Sequence, residues 1–456
     1  MIKVIIPVVA LLAIILCKKI PKIGGNVNAG LLIAGALSLI LGGVFNPVDW
    51  FAAGIDGVDK LAWVICLSIF GSIYASTQVK LGTIDTIMGY LKARFEKYPR
   101  VLIVCIILVL VLAGSLLGDA IAASTVIGVL TIGVLASMGI SGEKITCLIV
   151  MGASMGSIMP PISQALALSA ALTGADPDAV LRYGYITVPI IVVLMCIYAN
   201  IIFIDKKTKI PHQDRQGKPF DIIKENWTSL IPLIILILIV VFRTTTIGGV
   251  HFDLVPELLG KVMISEQLDL YTALSQISIL KGVSNGIVLS IIFVTVVSFM
   301  FPKLKGEAKN CITEGMANVK TTVLIQICAG FMLGCFYAGG QIDAVQAFAQ
   351  GLNENLLKIG GAGSMALIGM LTGSQSTVQN VIFSFFGPAL ISIGMDPVQV
   401  AAAGGMGLPP ADLTTFCVAG IVGSMVGKEV DPIKSMIMMV PMCLTMIAIG
   451  MILLYI

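Results

Sequence analysis

GSLLGDAIAASTVIG, residues 114–128, sets an aspartate in the middle of an apolar run, and no Lys or Arg lies near Asp119 along the chain. A charged Asp at the centre of a membrane helix costs about 2.5–3.5 kcal/mol on insertion scales, so such a residue is a functional-site hypothesis by default. The apolar segments 101–117 and 120–138 are separated only by Gly118-Asp119, too little for a loop outside a membrane. The pair reads as a helical hairpin that enters and leaves on one side. Its polar tip then sits at membrane depth, where non-helical backbone survives only if buried in protein or lining a cavity.

Composition supports a membrane setting. The 456 residues are 57% hydrophobic and 12% charged, with mean hydropathy +1.02, whereas a soluble domain has roughly 25% charged residues. At roughly 20 residues per span the chain has room for about ten crossings and two hairpins. A net charge of +3 gives no sign of a nucleic-acid partner. The ten cysteines stand singly with no C-x-x-C pair, so neither a metal knuckle nor a disulfide framework is indicated. IKVIIPVVALLAIILC resembles a signal-peptide core, but lacks a basic leader and a small-residue cleavage site, and reads as the first span.

The 114–128 stretch has a second copy. GMLTGSQSTVQNVIF, 369–383, aligns on it without gaps at an offset of 255, pairing Gly114 with Gly369 and Gly118 with Gly373. Beyond each lies a long apolar span broken by glycines and a Pro-Pro pair: MGASMGSIMPPISQ (151–164) and AAGGMGLPPADLTT (402–415). The expected fold is therefore an all-α polytopic membrane protein with an elevator-type architecture in two inverted-topology repeats. Residues 1–204 hold three helices, a hairpin (101–138), a broken helix (145–172) and a helix (183–204). Residues 227–456 repeat this with hairpin 362–393, broken helix 398–426 and helix 435–456, after a cytoplasmic linker at 205–226. Weak internal symmetry with Gly/Pro-interrupted segments in matching places points to a carrier's binding site.

Basic residues set the expected orientation. Lys18, Lys19 and Lys22, the run from Lys80 to Arg100, the linker lysines, and Lys303, Lys305 and Lys309 share one side with Lys428 and Lys434. NPVDWFAAGIDG, TGADPDA, HFDLVPELLG, SEQLD and GLNENL, acidic or neutral, read as connections on the other. Both termini then face outward from a bacterial inner membrane. GTIDTIMGYLKARFEKY and KGEAKNCITEGMANV read as amphipathic pieces along the membrane surface or as solvated connections. His212 and His251 fall in connections without a partner at metal spacing, so no transition-metal site is expected.

A broken span exposes carbonyl oxygens at the end of one half-helix and N–H groups at the start of the next. The first suit a cation and the second an anion. Proline is compatible with the first turn of the second half-helix, which fits Pro160, Pro161, Pro409 and Pro410 as the breaks. The cation-binding candidates, for Na⁺ or H⁺, are Gly118, Asp119, Ser154, Gly156, Ser157, Thr372, Gly373, Gly405, Gly407 and Asp412. The substrate-binding candidates are Ser115, Ser163, Gln164, Ser374, Gln375, Ser376, Thr377, Thr414 and Thr415, whose hydroxyl and amide groups donate to a carboxylate or coordinate through neutral oxygen. Each aspartate also has a plainer reading as the cap of a half-helix in a wet cavity.

The motifs GASMGSIMPPISQ, PFDIIKENWTSLIPLIILI, GMDPVQVAAAGGMGLPPADLTTF and AGIVGSMVGKEVDPIKSMIMMVPM, in that order, resemble the large membrane subunit of tripartite ATP-independent periplasmic (TRAP) transporters. The resemblance spans nearly the whole chain. It implies Na⁺-driven uptake of organic acids, dicarboxylates or sugar acids, by an elevator motion of the hairpin-bearing unit, with a periplasmic substrate-binding protein and a small four-helix membrane subunit as partners; no cofactor is expected. The chain departs from the family pattern at Gly118-Asp119, where small hydroxyl residues are usual, and at Ser374, where an Asp is usual. It departs again at Asp412 and Thr414, where glycine and asparagine are more frequent. Three readings compete: a cation-coupled organic-anion carrier, in a complex or alone; a cation/proton antiporter titrating Asp119 and Asp412; and an intramembrane aspartyl protease, for which the paired breaks have no use.

Overall fold

The computed structural model describes residues 2–456 except 18, 96, 118–119, 121–122, 125–127, 205–218, 245–252, 266–267, 279, 373–374, 409–415 and 428. The first span is α1 (Ile2–Leu16), which packs on α2 (Val27–Gly42). Asn26 caps α2 by accepting the Ala29 N–H at 3.1 Å, and Gly43, at φ 83°, ends it in the left-handed conformation that favours glycine.

NPVDWFAAGIDG was expected as a connection, but Pro47–Lys60 is a helix, α3, capped by Asn46. Its glycines are a packing face. A Cβ on Gly57 would lie 2.0 Å from the Gly330 oxygen and 2.4 Å from the Gly334 nitrogen, so the two backbones touch. Small residues of this kind let membrane helices approach closely, and that packing offsets the helix cost of glycine. α4 (Ala62–Leu81) and α5 (Thr83–Phe95) follow, then α6 (Pro99–Leu117), α7 (Gly128–Ser137), α8 (Gly142–Ser157), α9 (Gln164–Thr173) and α10 (Pro177–Ile202).

In the second half, α11 (Pro219–Asn226) and a 3₁₀ turn (Trp227–Ser229) meet α12 (Ile231–Thr244) at a bend of 68°. The segment expected as an acidic connection holds α13 (Leu254–Gly260), an antiparallel pair β1 (Met263–Ser265) and β2 (Leu268–Asp269), and α14 (Leu270–Gln276). Then come α15 (Gly286–Phe299), α16 (Ala308–Ala338), α17 (Gln341–Gln350), α18 (Glu354–Thr372), α19 (Gln375–Val378), a π-helical turn (Gln379–Phe383), α20 (Ser384–Ser392), α21 (Pro397–Met406), α22 (Phe416–Val426) and α23 (Pro432–Tyr455). The offset of 255 carries both bounds of α6 onto those of α18, and the first residues of α8 and α10 onto those of α21 and α23.

Two expectations change here. KGEAKNCITEGMANV is not a separate surface piece: from Ala308 onward it belongs to the 31-residue α16. The short helix standing where the offset places α5 is α17. Among the described residues, α4, α6, α10, α16 and α23 are each long and apolar enough to cross a membrane, while α1, α2, α9 and α15 are shorter apolar helices.

α16 packs against α2, α3 and α4 and ties the two halves together. Ser72 donates to the Gly315 oxygen at 2.8 Å, and Gln326 donates to the Ser68 hydroxyl at 2.8 Å, so two hydrogen bonds join the helices of this crossing. Arg243, at the end of α12, holds Asp178 in the first turn of α10 at 2.9 Å and also pairs with Asp253. Lys80 bridges to Glu307 at 3.0 Å and Glu314 at 3.1 Å, and hydrogen bonds from Asn310 and Lys80 hold the Glu307 carboxyl below its ordinary range.

Candidate functional site

The first broken span is α8, a break at 158–163, and α9. Proline was expected in the first turn of the second half-helix. Instead Pro160 and Pro161 lie within the break, and Ser163 is the N-cap, its hydroxyl accepting the Leu166 N–H at 3.3 Å. A serine oxygen satisfies a first-turn N–H, which proline cannot do, so the cap falls two residues after the prolines. At the other side of the break Ser157 donates to the Ser154 oxygen at 2.9 Å. The Ser154 hydroxyl is buried and has no hydrogen-bond partner among the described residues; the same holds for Thr146 on α8 and for Ser124.

The end of α6 docks on this break. A Cβ on Gly114 would lie 2.5 Å from the Ala153 oxygen and 2.7 Å from the Gly156 Cα, so the two helices cross backbone to backbone. Ser115 donates to the Pro160 oxygen at 3.0 Å. Its proton is thereby engaged in holding the break, which leaves its lone pairs as acceptors.

The second broken span, α21 and α22, lies antiparallel beside the first. α9 packs on α21 and α8 packs on α22. The end of α21 meets the start of α9, with a Cβ on Gly405 only 2.9 Å from the Leu166 Cα. The last carbonyls of one half-helix therefore adjoin the first N–H groups of another, and opposite dipole ends stand together. Gly407 faces the other way, where its Cβ would lie 2.0 Å from the Met446 oxygen on α23. Gly156, Gly405 and Gly407, expected as cation-binding positions, thus each have a steric reason to be glycine.

Two glutamines reach into this junction. Gln375 donates to the Gly405 oxygen at 3.2 Å. Gln379, fully buried in the π-helical turn, donates from one amide nitrogen toward the Ala165 oxygen at 2.8 Å, the Ser169 hydroxyl at 2.8 Å and the Gly404 oxygen at 3.3 Å. It binds the end of α21 to the start of α9. Its own carbonyl oxygen has no partner among the described residues. Gln379 was not among the sequence candidates. Its signal was its place four residues after Gln375, which puts both on one helical face. The π-turn that seats it had no signal, although such turns often mark functional sites.

Of the remaining candidates, Gln164 opens α9 half-buried, Ser376 is half-buried and Thr377 buried, both close to the junction, and Thr372 ends α18. Gly118, Asp119, Gly373, Ser374, Pro409, Pro410, Asp412, Thr414 and Thr415 lie outside the described residues, as do His212 and His251. Among the described residues no group of three His, Cys, Asp or Glu side chains stands close enough to hold a metal ion.

No family model matches this chain, and no curated protein matches it. Solved structures do. The YdaH transporter of Alcanivorax borkumensis, described as having an unusual topology, superposes with a TM-score of 0.59 at 15% identity, covering 88% of this chain and 86% of that one. MtrF of Neisseria gonorrhoeae, described as illuminating a class of antimetabolite efflux pumps, superposes with a TM-score of 0.63 at 17% identity, covering 98% and 94%. At such identities the likeness speaks for the fold alone, and the long apolar helices speak for the bilayer: the chain is a predominantly helical, multi-pass membrane protein that shares the fold of these two proteins.

Proposed function

We propose that this chain is a secondary active transporter that couples Na⁺ to the uptake of a small organic anion, a C4-dicarboxylate or a sugar acid. It works as a large-permease-like subunit of the TRAP type, by an elevator motion of the unit that carries the breaks. The observation that carries the reading is the junction of α21 with α9. Helix-end carbonyls suited to a cation lie beside helix-start N–H groups suited to a carboxylate, bridged by Gln375 and Gln379. The common offset of α6, α8 and α10 supports two inverted repeats of about ten spans and two hairpins, divided at 1–204 and 227–456.

In this reading Asp119 and Asp412, with Ser154 and Ser157, hold the cation, and Ser163, Gln164 and the 374–377 and 414–415 side chains take the anion. The Ser154 hydroxyl, buried without a partner among the described residues, favours a ligand there. The basic connections favour an orientation with both termini outside a bacterial inner membrane. A periplasmic binding protein and a small membrane subunit are its proposed partners. The likeness to MtrF favours a second reading, export of an antimetabolite by the same fold.

The test is solute flux in proteoliposomes of the purified protein, over a panel of carboxylates, with and without an inward Na⁺ gradient. The expected result is uptake only with the gradient, increased by a cognate binding protein. Equal uptake without Na⁺ at every pH rejects the sodium coupling. Cation–proton exchange with no organic solute moving makes the protein an antiporter, and outward movement of an antimetabolite driven by a proton gradient makes it an exporter.

A further inference from the structure

A basic, aromatic patch lies where α5 ends and α6 and α11 begin, at the opposite end of α6 from the break. α5 and α11 run antiparallel: Thr83 donates to the Ser229 oxygen at 2.8 Å at one end, and a Cβ on Gly89 would touch the Ile222 side chain at 3.5 Å further along. That pairing sets Phe220, at the start of α11, beside the C-terminal end of α5. There Arg94, Lys97 and Arg100 are exposed within seven residues. Phe220 is 71% exposed and Tyr98 61%. Large aromatic rings so bare beside cations are poorly served by water alone.

Two features fix the level of this patch. α6 starts at Pro99 and is long and apolar, so its first turn, with Arg100, stands where that helix enters the membrane. α11 turns from α12 by 68°, so it lies across the direction of its span, as a helix resting on a membrane surface does. The collar is tied to the bundle, since Lys303 donates to the Asn226 side chain at 3.2 Å. Asp221 and Glu225 outnumber Lys224 on α11, so the positive charge belongs to the 94–100 segment, where three cations stand against one acid, Glu96.

We propose that the collar formed by α5, α11 and the start of α6 is a binding surface for anionic phospholipid: the phosphate groups sit against Arg94, Lys97 and Arg100, and Phe220 and Tyr98 enter the headgroup layer. Arginine and lysine attract anionic headgroups at a membrane surface, each changing apparent affinity by roughly fivefold at low salt, and salt screens the effect. Rings that are apolar on one side and wet on the other settle at the interface. The positive side of the chain makes the cytoplasmic leaflet the one engaged. The inference needs only a bilayer, not a particular solute.

The experiment is native mass spectrometry of the purified full-length protein in neutral detergent, titrated with phosphatidylglycerol or with phosphatidylcholine of the same acyl chains. The wild type should retain phosphatidylglycerol preferentially. The variant R94Q/K97Q/R100Q should lose the preference, its apparent affinity for phosphatidylglycerol falling about a hundredfold at low salt, with phosphatidylcholine retention unchanged. Phe220→Ser should weaken retention of both lipids. Thermal unfolding without lipid checks that each variant folds, and should the triple variant melt early, Lys97→Gln alone should lower the phosphatidylglycerol affinity about fivefold. Equal retention of both lipids by the wild type overturns the proposal, and so does an undiminished preference in a folded variant. Displacement of the lipid by millimolar inorganic phosphate would make the patch a free-anion site. A lipid-independent dimer that splits in the triple variant would make it a contact between copies.

Discussion

The two segments read as hairpins begin with helices of equal length, α6 and α18, yet those helices are docked in different ways. α6 is largely buried, and its Gly114 presses on Gly156 of the first broken span with no room for a methyl group. α18 shows an apolar stripe outward, with Leu356, Ile359, Leu367 and Met370 all more than half exposed. It is fastened near its start, where the Lys358 ammonium lies 4.4 Å from the centre of the Tyr455 ring. The second segment is joined to the breaks through its later part instead, by Gln375 and Gln379. One half relies on close backbone contact and the other on side-chain hydrogen bonds. The first kind of joint is rigid, whereas the second can be broken and remade, and it stands at the junction we assign to transport.

The largest effect should come from filling the rigid joint. Gly114→Val puts methyl groups into the α8 backbone and should destabilise by about 3 kcal/mol or more, seen as early unfolding in detergent. Gly363→Ala on α18, where a Cβ meets nothing within 4 Å, should be neutral or stabilise by up to about 1 kcal/mol. Equal melting of the two variants would erase the contrast. Next comes Gln379→Leu, which leaves the Ala165 and Gly404 carbonyls without this donor and should cost about 1–3 kcal/mol. Transport should fall further than that stability loss explains, and Gln379→Asn, one methylene short, should not restore it. Ser115→Ala removes only the bond to Pro160 and should cost about 1 kcal/mol.

The smallest effect concerns pH. The Glu307 carboxyl is held low by Asn310 and Lys80, so its contribution is fully present above the unfolded value near 4.5 and is lost as pH falls through the lower folded value. Since the group is exposed, Glu307→Gln should alter the acid limb of a stability–pH curve only slightly, and high salt should remove the difference.

The break between α8 and α9 is legible because its signal is local: Pro160 and Pro161 fall in the gap, and neither can continue a helix through it. α3 has no local signal of its own: its two glycines and three aspartates look like a turn until Gly57 meets Gly330, far along the chain. Pro160 and Pro161 precede α9 instead of opening it because Ser163 competes better for the N-cap. Gln379 escaped notice for a related reason. An amide in a long apolar run carries no mark of its function, and its acceptors, Ala165 and Ser169, lie more than 200 residues away.

The most direct test of the account is Na⁺-driven uptake of the organic anion by Asp119→Ala beside the wild type, in matched proteoliposomes, with folding checked by thermal unfolding. The account predicts that the folded variant loses most of the Na⁺-dependent flux. Unchanged uptake and unchanged Na⁺ dependence in that variant would contradict a cation site beside the breaks.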